Sequence, residues 1–157
     1  MKLYHAAFVV IAMTGVAHAE DISLVCQGSG RYPTSSTSSV TTWNYSTGQP
    51  SQGSATHTEV QSVNANIRFE LRGERARILM PPVMTPTINN GSDGGWWNFD
   101  RLEVTENEIS GRFNLNVFNK PRVRIDRRTG VIEVDGNFNY YFLGECQRDE
   151  TPVERRF

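Results

Sequence analysis

From Val63 to Met80 the chain carries a pattern that an antiparallel hairpin satisfies on both faces at once. Val63, Ala65, Ile67, Phe69 and Leu71 alternate with Asn64, Asn66, Arg68, Glu70 and Arg72, the period of a strand with one buried face. Gly73-Glu74 reads as a two-residue turn with Gly first, as a type II′ turn requires. That turn sets Leu71 opposite Ala76, Phe69 opposite Ile78, Ile67 opposite Met80 and Glu70 opposite Arg77. Apolar residues then face apolar ones, and charge faces countercharge. Pro81-Pro82 ends the second strand.

The same rhythm recurs along the chain. Ile22, Leu24 and Cys26 share a face near the start. Trp97 and Phe99 alternate with polar residues, and the parity slips at Asp100-Arg101 before Leu102 and Val104, which predicts a β-bulge. Ile109, Gly111, Phe113, Leu115 and Val117 share one face. Val123 and Ile125 pair with Val134 and Ile132 across Arg127-Arg128-Thr129-Gly130, with Gly130 suited to a left-handed position. This register puts Arg124 opposite Glu133 and Arg122 opposite Asp135. After a turn at Asp135-Gly136-Asn137, Phe138, Tyr140, Phe142, Gly144 and Cys146 share the last face. Residues 28–56 are rich in Ser, Thr and Gly, with Trp43 and Tyr45 as islands. They are expected to form a long loop holding one weak strand near Val40 to Tyr45.

The first nineteen residues read as an export signal: Lys2, an apolar run from Ala6 to Val16, then Ala17-His18-Ala19 before Glu20-Asp21. The run is shorter than the ~20 residues of a membrane-spanning helix. Cleavage after Ala19 leaves a single domain, 20–157, with 15 Lys and Arg against 17 Asp and Glu. Cys26 and Cys146 would then meet an oxidising compartment. With no CxxC spacing and His57 the only remaining histidine, they make a poor metal site and are expected to form a disulfide. Closing a loop of about 120 residues is worth ~4–5 kcal/mol in the chain-entropy picture. Such a bridge makes the first and last strands neighbours. The fold class expected is all-β, a small antiparallel up-and-down barrel of about seven or eight strands, with a two-sheet sandwich as the alternative.

Chemistry-bearing residues are sparse. The near-neutral charge excludes the basic footprint of a nucleic-acid binder. No GxSxG elbow, HExxH helix or phosphate loop is present. Asp93, Asp100 and Glu103 are the carboxylates placed to converge near one loop, but nothing pairs them for acid–base work, and no enzyme activity is expected. The loop Asn89 to Gly95 lacks the alternating carboxylates and closing Glu of a calcium loop, so neither metal nor cofactor is expected. Trp96-Trp97 is the most suggestive pair. Trp97 has the parity of Phe99, which turns Trp96 outward beside a Gly-rich loop as a stacking platform. Trp96, Asp93, Arg77 and Arg101 form the expected contact surface.

Leu24-Val25-Cys26-Gln27-Gly28, Ile125-Asp126-Arg127-Arg128-Thr129-Gly130, Gly144-Glu145-Cys146 and the tail ending in Phe157 resemble marks of a group of small exported alphaproteobacterial proteins of unknown function. The resemblance covers the two ends of the chain. It implies a disulfide-closed periplasmic β fold and brings no activity with it. A looser likeness, of fold alone, is to periplasmic lysozyme inhibitors. The expected function is a non-enzymatic periplasmic or secreted module, not membrane-spanning, that binds a small ligand or an extracytoplasmic protein. The alternative is a protein inhibitor of a cell-wall hydrolase.

Overall fold

The computed structural model describes residues 21–86 and 94–150. They form eight antiparallel strands: β1 (Ile22–Asn44), β2 (Gln49–Arg72), β3 (Arg75–Leu79), β4 (Trp96–Val104), β5 (Glu108–Phe113), β6 (Arg122–Asp126), β7 (Val131–Asp135) and β8 (Tyr141–Arg148). Each strand pairs with the next, and β8 returns to β1, so the sheet closes into a barrel in sequence order. A 3₁₀ turn at Pro82–Met84 follows β3. Of the two all-β architectures the sequence admits, the chain adopts the up-and-down barrel. No helix among the described residues is long and apolar enough to cross a membrane.

The registers follow the side-chain patterning. Leu71 faces Ala76, Phe69 faces Ile78, and Glu70 faces Arg77 in an ion pair of 2.7 Å. β3 ends at Leu79, so Ile67 and Met80 are both buried in the core without being a ladder pair. The bulge lies where the parity slips, between Asp100 and Glu103, and Arg101 there takes a left-handed backbone (φ 54°). Val123 faces Val134 and Ile125 faces Ile132. The turn joining them is held by the Asp126 carboxylate, whose Oδ1 accepts from the backbone N–H groups of Arg128 (2.8 Å) and Thr129 (2.9 Å). Those bonds hold the Asp126 carboxyl below its usual range.

The interior is filled by the inward residues of every strand. Phe99 stacks on Phe113 (6.4 Å between centroids) and meets Phe69 edge-on (5.6 Å), while Trp97 leans on Phe113 (6.0 Å). A side chain at Gly111 would collide with the Phe99 ring. Its absence is what lets that ring lie across β5.

Closure rests on the β1–β8 seam. Leu24 to Arg31 pair with Arg148 to Tyr141, and Cys26 lies directly opposite Cys146. The two are joined by a disulfide with Cα atoms 3.9 Å apart. Two residues further, Gly28 faces Gly144 so closely that a Cβ on either would run into the other strand's backbone.

Residues 28–56 are not a loop. β1 runs on through them to Asn44, turns at Gly48 (φ 65°), and β2 returns from Gln49 in continuous register. Because β8 ends its pairing at Arg31, the rest of this hairpin leaves the barrel as a two-stranded ribbon, roughly 40 Å long at ~3.3 Å per residue. With both faces in water there is no apolar period to read. Pairing is carried by the backbone ladder and by hydroxyl contacts across it, Ser35–Thr58 (3.2 Å), Thr37–Thr56 (3.3 Å) and Thr42–Ser51 (2.9 Å).

Replacing Cys26 and Cys146 together by Ser is expected to lower the unfolding free energy in urea by about 4 kcal/mol. A loss below about 1 kcal/mol would mean that strand pairing alone fixes the ends of the sheet.

Candidate binding site at the ribbon end of the barrel

Two turns at the end of the barrel where the ribbon leaves are tied together by asparagines. In the β5–β6 connection, Asn116 Oδ1 accepts from the backbone N–H groups of Phe118 (2.9 Å) and Asn119 (2.7 Å). Asn119 is itself buried, and its Oδ1 accepts from the Asn137 N–H (2.9 Å) in the β7–β8 connection. Asn137 Nδ2 donates back to the Phe118 carbonyl (2.7 Å). A buried amide with its acceptor satisfied fixes both turns in one arrangement.

What these braced turns present to solvent is apolar. Val117 is 84% exposed, Phe118 76% and Phe138 65%, with Val83 (53%) beside them. Phe138 adopts φ 60° and the next residue, Asn139, φ 61°. Asn is at home in the left-handed region, whereas a bulky Phe there costs about 1–2 kcal/mol. The two are the central residues of a turn closed by the Tyr140 N–H on the Asn137 carbonyl (3.2 Å), and positive φ at both is the arrangement of a type I′ hairpin turn. Both residues depart from the pattern expected of them: Val117 and Phe138 were to lie on inward faces. β5 instead stops at Phe113 and β8 starts at Tyr141, so both residues fall in turns.

Val83 and Phe138 also border an open cavity of about 370 Å³, with the ribbon base (Tyr32, Pro33, Thr34), Met84, Leu115, Asn116 and Tyr140 among its other walls; Val117 and Phe118 do not line it. Tyr140 is buried, and its hydroxyl has no hydrogen-bond partner among the described residues. Burial pushes that phenol well above its ordinary pKa, so it is a neutral donor at any physiological pH. An unmet buried hydroxyl costs roughly 1–3 kcal/mol.

The surface expected from the sequence divides. Trp96 is turned outward as its parity requires, but it is half-buried. The Arg77 guanidinium lies 4.4 Å above its ring and is held there by Glu70, so a salt-bridged cation covers one ring face. Arg101 belongs elsewhere, in a depression with Arg112, Arg122 and Arg124. Asp93, with most of the Asn89–Gly95 loop, lies outside the described residues. The other carboxylates considered for catalysis are apart from the barrel mouth. Asp100 accepts a hydrogen bond from Asn114 (2.6 Å), and Glu103 sits in the arginine depression. His57 is on the ribbon, 3.2 Å from Glu59. No cluster of three or more His, Cys, Asp or Glu suited to a metal ion occurs among the described residues.

Sequence reasoning missed Val117, Phe118 and Phe138. The available signal was Asn116-Val117-Phe118-Asn119, two apolar residues enclosed by turn-forming asparagines beside Pro121. Comparison with protein-family models, curated proteins and solved structures found no match.

Phe138→Gly is expected to raise the melting temperature, corresponding to about 0.5–1 kcal/mol, because Gly takes the left-handed backbone without a Cβ clash. A lower melting temperature would mean that the Phe138 ring stabilises the fold and is not held out at a cost.

Proposed function

We propose that the chain is an exported, non-enzymatic binding protein that takes the apolar body of a small amphipathic ligand at the ribbon end of its barrel. The observation carrying this reading is the apolar rim of Val117, Phe118 and Phe138. Asparagine bonds brace it, and the β7–β8 turn holds Phe138 out at a left-handed position that Gly or Asn would take without strain. Soluble chains rarely keep such a patch uncovered unless something binds there. The cavity that Phe138 and Val83 border has the size of a small-ligand site, and Asn116 and Asn119 are polar residues of its walls. Export is supported by the leader-like first nineteen residues and by a disulfide that needs an oxidising compartment.

The runner-up is inhibition of a cell-wall hydrolase, and one feature favours it. The ribbon ends in exposed aromatics, Trp43 (56%) and Tyr45 (92%), on a projection narrow enough to enter an enzyme cleft.

A series of saturated fatty acids from hexanoate to dodecanoate, titrated into the oxidised protein by calorimetry, tests the leading reading. Each added methylene is expected to tighten binding about fourfold, following ~0.8 kcal/mol per buried CH₂, until the cavity is filled. Phe118→Ala with Phe138→Ala should weaken the tightest member at least about tenfold, with lysozyme turnover unchanged by the wild-type protein. Binding without chain-length dependence, or insensitive to the double substitution, would contradict it. Loss of lysozyme activity that disappears on Trp43→Ala would favour the runner-up.

A further inference from the structure

On the outer face of β4, β5 and β6, away from the barrel mouth, an open depression of about 460 Å³ is lined by Arg101, Arg112, Arg122 and Arg124 with Glu103 and Glu108. Only one ion pair forms inside it among the described residues, Arg124 to Glu108 at 2.9 Å, so that arginine and that glutamate answer each other. Arg112 and Arg122 stand directly opposite on neighbouring strands, a like-charge pair that destabilises a sheet. Asp100 opposite Arg112 and Asp135 opposite Arg122 relieve it only in part: neither forms an ion pair among the described residues, and Asp100 accepts instead from the Asn114 amide (2.6 Å). The bulge adds a third cation: a register shift between Asp100 and Glu103, with Arg101 at φ 54°, places Arg101 in the same depression. A non-glycine residue held left-handed inside a strand carries strain, and here that strain adds to a repulsion already present.

We propose that this depression binds a phosphate group, with the guanidinium groups of Arg101, Arg112 and Arg122 as its donors. Guanidinium is planar and offers paired N–H donors matched to phosphate oxygens. A doubly charged tetrahedral group would turn the Arg112–Arg122 repulsion into two attractions to one centre. Glu103 and Glu108 share the lining with the four arginines, which leaves it two positive charges in excess, and the carboxylates of Asp100 and Asp135 at its flanks set an upper limit on affinity. A cation is disfavoured by that excess, and an apolar group by the polar lining. The phosphate could belong to a soluble phosphate compound or to a lipid headgroup, since both present the same oxygens.

The test compares wild-type protein with Arg112→Gln/Arg122→Gln. Pyrophosphate is titrated in one arm, and flotation with phosphatidylcholine vesicles, with and without phosphatidic acid, is measured in the other. Binding is expected in at least one arm, weakened by the double substitution about tenfold or more and reduced by added salt. Binding in the pyrophosphate arm alone assigns a soluble phosphate, and binding in the phosphatidic acid arm assigns a headgroup. Absence of binding in both arms, or binding untouched by the substitutions, would overturn the proposal.

Discussion

Everything in this molecule depends on the seam between β1 and β8. Seven hairpin connections can be made locally, but a sheet of eight strands still has two edges until its first and last strands meet. Those strands are far apart in sequence, so the loop entropy of closing them is the largest single ordering cost in the fold. Two devices offset it at adjacent positions. The Cys26–Cys146 bond holds those strands together in the unfolded chain already, so that closing them costs less on folding. The facing glycines Gly28 and Gly144 let the backbones approach where any side chain would hold them apart. Closure then leaves no edge within the barrel to pair with another chain.

The seam also decides what lies outside the barrel. Because β8 covers β1 only as far as Arg31, the β1–β2 hairpin must continue without a third strand. That is why the ribbon is polar on both faces. The same end of the barrel carries the two short turns into β6 and β8, where bracing by Asn116, Asn119 and Asn137 holds apolar side chains in water. The closed sheet supplies rigidity, and residues with left-handed backbone stand at its rim and on its outer face, Phe138 and Asn139 at the one and Arg101 on the other.

The fold was legible in the sequence wherever one face of a strand is buried. From Val63 to Leu79 and from Val123 to Val134, burial imposes a period of two, turn chemistry fixes the register, and charges fall opposite one another. Even the bulge at Asp100 and Arg101 announced itself as a slip in parity. Legibility failed where burial stops. The ribbon has no inward face, so residues 28–56 offered only a composition suggestive of a loop, although threonine and backbone pairing suffice for strands. At Val117 and Phe138 the error ran the other way, since apolar residues in phase with a strand were read as its continuation when the strand had already ended. Charge partners were only partly legible. Register set Arg124 against Glu133, but the guanidinium reaches across to Glu108 on the other neighbouring strand. The rim was hidden for the same reason: a site made of residues that break the pattern cannot be found by following the pattern.

The most direct test of this account is a nuclear Overhauser measurement between the α-protons of Gly28 and Gly144 in the oxidised protein. Narrowly spaced antiparallel pairs bring such protons into close contact, so the account predicts a strong cross-strand Gly28–Gly144 signal together with β8-to-β7 contacts such as Phe142 to Val134. Retention of the β8-to-β7 contacts with no Gly28–Gly144 signal would describe an open sheet tethered by its disulfide, and would contradict the closed barrel.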